Sequence, residues 1–293
     1  MTRLAIILVL YRSRDELPAL WECLAAQGFR DWRVIALDNS PEDGGGDFLA
    51  GLGDARVEVV RNTQNLGFAR AVNQGLHRAL AAGVPRCLLL NPDTEFGPDF
   101  LAGLMAAWDA TGAQVIAPRV MYHDDPTRAW YAGGHLDFGW VFANRHDPYT
   151  PGGPGSRIVD FASGCCLGLT EGVLRRVGLL DESFFVYWED TDYCLRLKAA
   201  GVPIQYVEQP VLLHHSGAST GGGERSPVGE VLYFGNYGVL LRKHFALPRA
   251  LLMLLRTFLK ERARPGLRPG SGGRIGRALL RGFLRRRRPL PRV

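Results

Sequence analysis

The chain of 293 residues lacks the features that define several protein classes. No window approaches the roughly 20 apolar residues that a membrane-spanning helix needs. The apolar start, residues 4–10, is too short for a secretion signal and has no small-residue cleavage site. The five cysteines are odd in number and show no CxxC spacing. We therefore expect a cytoplasmic protein with reduced thiols, rather than a disulfide-linked or zinc-stabilised domain.

Two nucleotide-binding signatures are also missing. No GxGxxG follows the first apolar run, and no GxxxxGK[ST] occurs anywhere in the chain. A dinucleotide-binding domain and a P-loop NTPase both depend on these glycine-rich loops, because the backbone must approach the phosphates closely. The sequence argues against both classes.

Acidic residues are absent from residues 262–293, which contain eleven arginines. The remaining 261 residues hold 24 basic and 29 acidic side chains, a net charge of −5, so the overall charge of +6 belongs to this tail. Apolar residues lie between the arginines, which predicts either an amphipathic segment on an anionic membrane surface or a disordered tail. Nucleic-acid binding is disfavoured, because Phe283 is the tail's one aromatic residue.

Short apolar runs alternate with helical patterns through the first half of the chain. Runs rich in Leu, Ile and Val occur at 4–11, 34–40, 57–60, 87–93 and 113–118, with helical spacing at 15–27 and 69–83. This alternation predicts an α/β fold with a mostly parallel, Rossmann-like sheet flanked by helices. From residue 228 to residue 260 the pattern becomes helical, which predicts a C-terminal helical extension.

Polar residues follow two of these runs at the point where a ligand is expected. Asp38-Asn39-Ser40 ends the second run, and Asn91-Pro92-Asp93 ends the fourth. Ligands of open parallel sheets bind beyond the carboxyl ends of the strands. Each motif alone is equally well explained by turn chemistry, but the pair favours a binding site.

Three carboxylates, Glu189, Asp190 and Asp192, follow an aromatic cluster at the start of a predicted helix. Acidic residues in the first helical turn interact favourably with the helix dipole. Because helix neighbours point about 100° apart, Glu189 and Asp190 cannot both cap in the same way. One is left to face a cavity, where partial desolvation would suit it to act as a general base.

Two further segments are candidates for the site. His214 ends the apolar run "VLLHHSGAS" (211–219), and with Asp93 it could complete an open site for Mg²⁺ or Mn²⁺. The choice between His214 and His215 as the ligand stays open. Residues 133–155, rich in Gly, Pro and aromatics, are either a lid over the site or a solvated surface loop.

Seven motifs in order resemble the family-two glycosyltransferases of the bacterial rhamnosyltransferase-like group, which have the GT-A fold. They are Tyr11, "LDNSPEDGG" (37–45), "NLGFARAVNQG" (65–75), "LLLNPDT" (88–94), "SGCCLGL" (163–169), "VGLLDESFFVYWEDTDYCLRLKAAG" (177–201) and "VLLHHSGAS". The resemblance covers about residues 3–245. It implies inverting transfer of a sugar, with rhamnose favoured, from a nucleoside-diphosphate donor to a hydroxyl of a glycan or polyprenyl-linked acceptor in cell-surface polysaccharide synthesis.

The resemblance also implies a role for individual residues. The donor nucleotide would contact Tyr11, Asp38, Asn65, Gly67, Asn91 and Asp93. Asp93 and His214 would hold the divalent cation. Asp190 would be the catalytic base, with Glu189 beside it. Gly164, Cys165, Trp188 and Asp192 would border the acceptor.

The chain departs from the family pattern at two positions. Asn91 replaces the first acid of the family's DxD motif, and Arg12 stands where Asn usually follows the tyrosine.

The expected organisation is a catalytic domain at 1–225, packing helices at 226–261 and the Arg-rich tail at 262–293. We expect cytoplasmic residence, with the tail docking on the inner face of the plasma membrane. Two alternatives stay open. A sugar-nucleotide-binding module with weak catalysis would lack donor hydrolysis, and a nucleotidyltransferase would normally carry a Gly-rich basic loop near the first strand.

Overall fold

The computed structural model describes residues 2–151, 153, 155–215, 226–285 and 290–291. Within these ranges lie twelve strands and nine α-helices. The strands are β1 Leu4–Leu10, β2 Trp32–Asp38, β3 Val57–Arg61, β4 Arg86–Leu90, β5 Thr94–Phe96, β6 Val115–Tyr122, β7 Ala129–Tyr131, β8 Gly134–Asp137, β9 Ala143–His146, β10 Arg157–Val159, β11 Cys166–Thr170 and β12 Ile204–His214. The helices are α1 Leu17–Ala25, α2 Gly45–Gly51, α3 Phe68–Ala81, α4 Phe100–Thr111, α5 Glu171–Val177, α6 Glu189–Ala199, α7 Pro227–His244, α8 Leu247–Arg262 and α9 Ser271–Leu284.

A mixed sheet forms the centre of the fold, in the order β10-β12-β6-β11-β4-β1-β2-β3. Parallel pairing joins β1 to β2 and β4, β2 to β3, and β12 to β6. β11 is antiparallel to both β4 and β6, so six of these eight strands share one direction. The predicted α/β fold and strand alternation are confirmed. β2 and β4 end at Asp38 and Leu90, a few residues before the predicted ends.

Burial on both faces of the sheet explains why the first strands are almost continuously apolar. In β1, six of seven residues are buried, because helices cover both sides. Asn73 on α3 is also buried, and its side chain both accepts from Leu180 N and donates to Leu180 O. This exchange fixes α3 against the segment that leads into α6.

The C-terminal helices pack closely on one another. At Gly282 of α9 a Cβ atom would overlap the carbonyl oxygen of Gly235 on α7, and at Gly238 it would meet the α9 backbone. Glu230 on α7 is buried and accepts hydrogen bonds from Ser271 and Arg274 of α9. The Arg-rich segment therefore contains a docked helix.

This packing overturns one prediction for the tail. Three of the apolar residues expected to lie on a membrane, Ile275, Leu279 and Phe283, are buried against the helices instead. Leu280 and Leu284 remain exposed. Across the described ranges, none of the helices combines the length and apolar character that crossing a bilayer requires.

The segment at 133–155 is neither a plain lid nor a simple surface loop. It contains the antiparallel hairpin β8–β9, in which Gly134 pairs with His146 and Asp137 with Ala143. The hairpin tip packs against the C-terminal helices, since Tyr237 donates a hydrogen bond to Phe142 O. Its other end reaches the carboxyl edge of the sheet.

Candidate functional site

Asp38 organises the turn after β2. Its carboxylate accepts from Ser40 N at 3.1 Å and also from the backbone of Gly46, where a Cβ would collide with it. Burial raises the pKa of Asp38, and the side chain is 1% exposed. The Asp38 carboxylate is therefore almost fully enclosed. A contact between Asp38 and the base or ribose of the donor nucleotide stays a prediction.

Tyr11 directly follows β1 beside this turn, at the mouth of the site, where the carboxyl ends of β1 and β2 meet. The residue is 37% exposed. Arg12 follows it with φ of +52°, and its N–H donates to Ser40 Oγ at 2.8 Å. Asparagine tolerates this left-handed conformation better than most residues. The geometry thus gives a reason for the asparagine that the family usually places here.

A second wall of the mouth comes from the loop before α3. Asn65 Oδ1 accepts from Gly67 N at 2.8 Å, and Phe68 N donates to Phe185 O at 2.6 Å. Gly67 has φ of +81°, and a Cβ there would collide with Phe185. Glycine is therefore required where the donor-side loop meets the aromatic segment ahead of α6.

Asp93 and His214 face each other at the end of the sheet. Asp93 Oδ1 lies 3.3 Å from His214 Nε2, and both side chains are buried. His215 turns instead to Glu95, with Nε2 and Oε1 2.7 Å apart. The geometry therefore favours His214 over His215 as the partner of Asp93.

The Asp93–His214 pair fits a divalent cation. Within the described part of the chain, neither Asp93 Oδ1 nor His214 Nδ1 has a hydrogen-bond partner. Ligands about 2.1 Å from one ion and at right angles lie about 3 Å apart, close to the observed spacing. A buried carboxylate oxygen without a donor is costly unless a cation satisfies it.

A separate cluster combines Glu95, His123 and His215. Their ligand atoms lie within 4.8 Å of one another, and the two imidazoles stack with centroids 3.5 Å apart. These three residues are only half-buried. The cluster is not part of the predicted site.

Asn91, Cys165 and Gly164 connect the strand mouth to α6. Asn91 N donates to Cys165 O at 2.9 Å, and Gly164 N lies 3.4 Å from Asp190 Oδ2. Burial, followed by the charge of Asp93, raises the pKa of the Cys165 thiol. Two predicted acceptor residues, Gly164 and Cys165, thus lie between Asp93 and Asp190.

Glu189 and Asp190 have different surroundings at the start of α6. Glu189 is 7% exposed, and its Oε2 has no hydrogen-bond partner among the residues described. Burial first, and the neighbouring Asp190 second, raise the pKa of Glu189 to about 8. Asp190 is half-buried and accepts from Thr191 N at 2.6 Å. Burial raises its pKa too, whereas the bonds from Thr191 and Gly164 oppose the rise.

These surroundings separate the two acids chemically. The hydrogen bonds from Thr191 and Gly164 favour the ionised form of Asp190, whereas the buried Glu189 Oε2 has no such donor among the residues described. A carboxylate that is partly desolvated and hydrogen-bonded can accept a proton near neutral pH.

Asp192 does not border the acceptor, contrary to the prediction. Its side chain has no exposed surface and lies within hydrogen-bond distance of Arg196, Lys243 and His244. Burial acts to raise the pKa of Asp192, but the hydrogen bond with His244 and the charges of Arg196 and Lys243 outweigh it and hold the pKa at about 2. The carboxylate joins α6 to α7 inside the protein.

Trp188 is also behind the site. Its ring is 6% exposed and packs on Tyr233, Tyr237 and Phe142, with centroids 4.9 to 6.4 Å away. The predicted acceptor contact does not fit a ring enclosed in this way. Trp188 instead supports α6 through aromatic packing.

The backbone ahead of Asp190 is strained. Tyr187 and Trp188 have φ of +72° and +73°, a left-handed conformation that costs energy for bulky residues. Asn236 of α7 donates to Val186 O at 2.8 Å and to Tyr187 O at 3.3 Å. α7 therefore holds the segment that orients Glu189 and Asp190.

Three site residues were missed by sequence reasoning. Trp130 stands edge-on to His214 at 4.5 Å and to His146 at 5.0 Å. His146 is part of the electrostatic surroundings of Asp190, and Asn144 donates to Thr191 Oγ1 at 2.7 Å. The aromatic and histidine content of 130–146 was the available signal, but it has no period that assigns a partner.

Most of the chain matches a known family. Residues 5–178 match the glycosyl transferase family 2 domain. The N-acetylglucosaminyl-diphospho-decaprenol L-rhamnosyltransferase of Mycobacterium tuberculosis is 29% identical over 247 residues, covering 74% of this chain and 78% of that protein. The low-salt glycan biosynthesis hexosyltransferase Agl10 of Haloferax volcanii is 23% identical over 249 residues, covering 81% and 72%.

Solved structures share the fold at low sequence identity. TarS of S. aureus superimposes with a TM-score of 0.62 at 14% identity, covering 96% of this chain and 80% of the TarS chain. The mannosyltransferase PcManGT of Pyrobaculum calidifontis, solved with GDP-Man and Mn²⁺, gives 0.57 at 13% identity, covering 95% and 74%. The domain match and the superpositions lead to one conclusion: the chain belongs to glycosyl transferase family 2 and is a glycosyltransferase with the GT-A fold.

Proposed function

We propose that this glycosyltransferase moves a sugar, with inversion, from a nucleoside diphosphate to a hydroxyl of a lipid-linked glycan. The observation that carries the proposal is a continuous run of contacts between two chemically distinct groups. Asp93 and His214 lie at one end, Asn91, Cys165 and Gly164 in the middle, and Asp190 at the other. A diphosphate and a sugar acceptor need this pairing of a cation site with a base.

Each end has a separate chemical task. Asp93 and His214 would hold a divalent cation, which when bound would stabilise the negative charge of the departing diphosphate. Asp190 takes the proton of the acceptor hydroxyl. At the same time the hydroxyl oxygen forms a bond to the anomeric carbon of the donor sugar. The bond from that carbon to the diphosphate oxygen breaks, and the nucleoside diphosphate leaves with the electron pair. Burial and the neighbouring Asp190 raise the pKa of Glu189, which disfavours a second negative charge beside the base.

The donor side is proposed from the residues at the strand mouth. Tyr11, Asn65 and Gly67 flank the nucleotide, and Asp38 holds the turn beneath it. Asn91 leaves a single carboxylate in its motif, so the cation relies on His214. Rhamnose carried on dTDP is the preferred donor, because relatives are named L-rhamnosyltransferase and dTDP-rhamnosyl transferase.

The acceptor is proposed from the same relatives. The Mycobacterium tuberculosis protein is named for a decaprenol-linked N-acetylglucosamine diphosphate. A polyprenyl-diphosphate N-acetylglucosamine is therefore the first acceptor to offer this chain. Gly164 and Cys165, beside Asp190, would border its sugar.

The test combines donor selection with product analysis. Thermal-shift measurements with dTDP-, UDP- and GDP-sugars, each with Mg²⁺ or Mn²⁺, identify the donor that stabilises the protein. Transfer of that sugar to the polyprenyl-diphosphate acceptor is then followed, and the anomeric configuration of the product is read by NMR. An inverted linkage is expected. A retained configuration, or donor binding without transfer to any hydroxyl acceptor, would contradict the proposal.

A further inference from the structure

Helix α8 is apolar on the side that faces away from the protein. Leu251, Leu252, Leu255 and Leu259 are between 44% and 55% exposed. The helix contacts the protein through Ala250, Met253 and Thr257, which are buried. At about 100° per residue, the four leucines span an arc opposite these three contacts. A surface helix normally shows the reverse arrangement, and an outward apolar patch marks an interaction site.

Positive charge borders this leucine face. Arg249, Arg256 and Lys260 lie along one side of it, by the same helical geometry. The helix carries one acidic residue, Glu261, whose side chain is 17% exposed and pairs with Arg264 at 3.6 Å. The face therefore combines apolar area with cations and almost no exposed negative charge.

The tip of the β8–β9 hairpin extends the face. Trp140 is 68% exposed, and the Arg256 guanidinium lies over its ring at 3.9 Å. Arg249 donates a hydrogen bond to Phe138 O at 3.1 Å. Exposed tryptophan beside arginine is typical of groups at the boundary between lipid and water, because the ring is apolar and its edge is polar.

We infer that the leucine face of α8 and the Trp140 hairpin tip dock this protein on an anionic lipid bilayer. Leucines and tryptophan enter the boundary between headgroups and acyl chains, while the flanking cations contact lipid phosphates. A second copy of the chain fits the face less well. A two-fold interface pairs a surface with itself, so it would bring the two cationic borders together.

The β8–β9 hairpin connects the docking face to the region around Asp190. The strand that begins just beyond the tip contributes Asn144, which bonds Thr191, and His146, which lies near Asp190. A bilayer under the tip would thus lie at one end of the hairpin and the proposed base at the other. This part rests on the proposed function, since it supposes a lipid-linked acceptor whose glycan projects from that surface.

The experiment measures partitioning of the full chain onto vesicles of phosphatidylglycerol and phosphatidylcholine, with pure phosphatidylcholine for comparison and no donor or acceptor present. The triple variant Leu251→Asn, Leu255→Asn, Leu259→Asn should bind at least roughly tenfold more weakly, because three apolar side chains no longer leave water. The matched control is Leu280→Asn, Leu284→Asn on α9, which also alters exposed leucines and should bind within about twofold of wild type.

A second readout reports the hairpin tip. Anionic vesicles should shift the tryptophan emission of wild type to shorter wavelength, and Trp140→Phe should lose most of that shift. Circular dichroism and thermal melting confirm that each variant folds, as expected for exposed positions.

The inference is overturned by either of two results. One is equal vesicle binding by the folded triple variant and wild type. The other is loss of binding in the α9 control but not in the α8 variant, which would assign docking to the Arg-rich tail. The triple variant could also keep vesicle binding but change from dimer to monomer. That result is an example of the first case, and it would identify the leucine face as an interface between two copies of the chain. Because no sugar is present, failure of the proposed transfer leaves this result unaffected.

Discussion

The two sides of the cleft are built in different ways. On the proposed donor side, Asp38 ends β2 and Asp93 lies between β4 and β5, and local turns position both residues. On the proposed acceptor side, Asp190 depends on residues far away in the chain, including Asn236 on α7 and Asn144 of the β8–β9 hairpin, which bonds the adjacent Thr191. The donor side is therefore a property of the sheet edge, whereas the acceptor side is a property of tertiary packing.

This difference determines what a substitution should do. A change on the donor side should affect one interaction with the nucleotide or cation, because each side chain acts from its own strand end. A change on the acceptor side should affect either the reacting group or the stability that holds it. Four variants test this separation.

The largest effect is expected for Asp190→Asn. Asparagine keeps the shape of the side chain but cannot accept the hydroxyl proton, so kcat should fall about 10³-fold. The donor dissociation constant should change by less than about twofold, because the sheet edge is untouched. Single-turnover transfer and calorimetric donor titration measure the two quantities. A variant that retains most of its transfer rate would remove Asp190 from the role of base.

Asp192→Ala should reduce stability rather than chemistry. Removing the carboxylate leaves Arg196, Lys243 and His244 without their shared partner in a buried setting, at a cost of about 3 kcal/mol or more in unfolding free energy. Asp160→Ala, which breaks a pair with Lys198 whose two side chains are 42% and 49% exposed, is the control and should cost less than about 1 kcal/mol. Urea denaturation compares them. Equal losses would show that the buried network is not special.

His214→Ala should weaken cation-dependent donor binding by about tenfold or more, because one of two protein ligands is lost. His215→Ala is the matched control and should leave that binding nearly unchanged, since His215 pairs with Glu95. Nucleotide affinity is measured with and without Mg²⁺ or Mn²⁺. The opposite ranking of the two histidines would transfer the cation site to the Glu95 cluster.

Glu189→Gln should change how stability depends on pH. The pKa of Glu189 is raised to about 8 in the folded protein from an ordinary value of 4.5, so the folded state holds a proton that the unfolded state releases. The stability from this group is complete below about pH 4.5 and declines as pH rises towards 8. Glutamine cannot ionise, so the unfolding free energy of the variant relative to wild type should increase across that window.

Denaturation at intervals from about pH 5 to pH 8 measures this difference. The exposed Glu42→Gln variant is the control for removing a carboxylate. A difference that stays flat with pH would show that Glu189 ionises normally in the folded protein.

The strand-end positions of Asp38 and Asp93 were easier to predict than the surroundings of Asp190 for a physical reason. Strands buried on both faces are nearly continuous runs of Leu, Ile and Val, so their ends at Asp38 and before Asp93 can be read directly. His146 and Trp130 lie in short strands at 129–131 and 143–146 without a clear period. Their roles arise from residues distant in the chain, Asp190 for His146 and His214 for Trp130, which are 44 and 84 positions away.

The same contrast explains the errors. Asp192 lies in an acidic cluster, and only the tertiary structure shows that Lys243 and His244 surround it. The apolar pattern of the tail was read correctly as one side of a helix. The pattern could not reveal that glycines on α7 and α9 allow the apolar side of α9 to pack against α7. As a result, α8 is the helix whose apolar side faces outward.

The hydrogen bonds from Asn236 to the carbonyls ahead of Asp190 have a consequence for how such enzymes diversify. They make a remote helix the support for the reactive end of the molecule. Replacing residues along α7 can therefore shift where a recipient sugar must lie, without altering the strand-end residues at the other end of the cleft. A family with this arrangement can change its acceptor while keeping the same sugar donor.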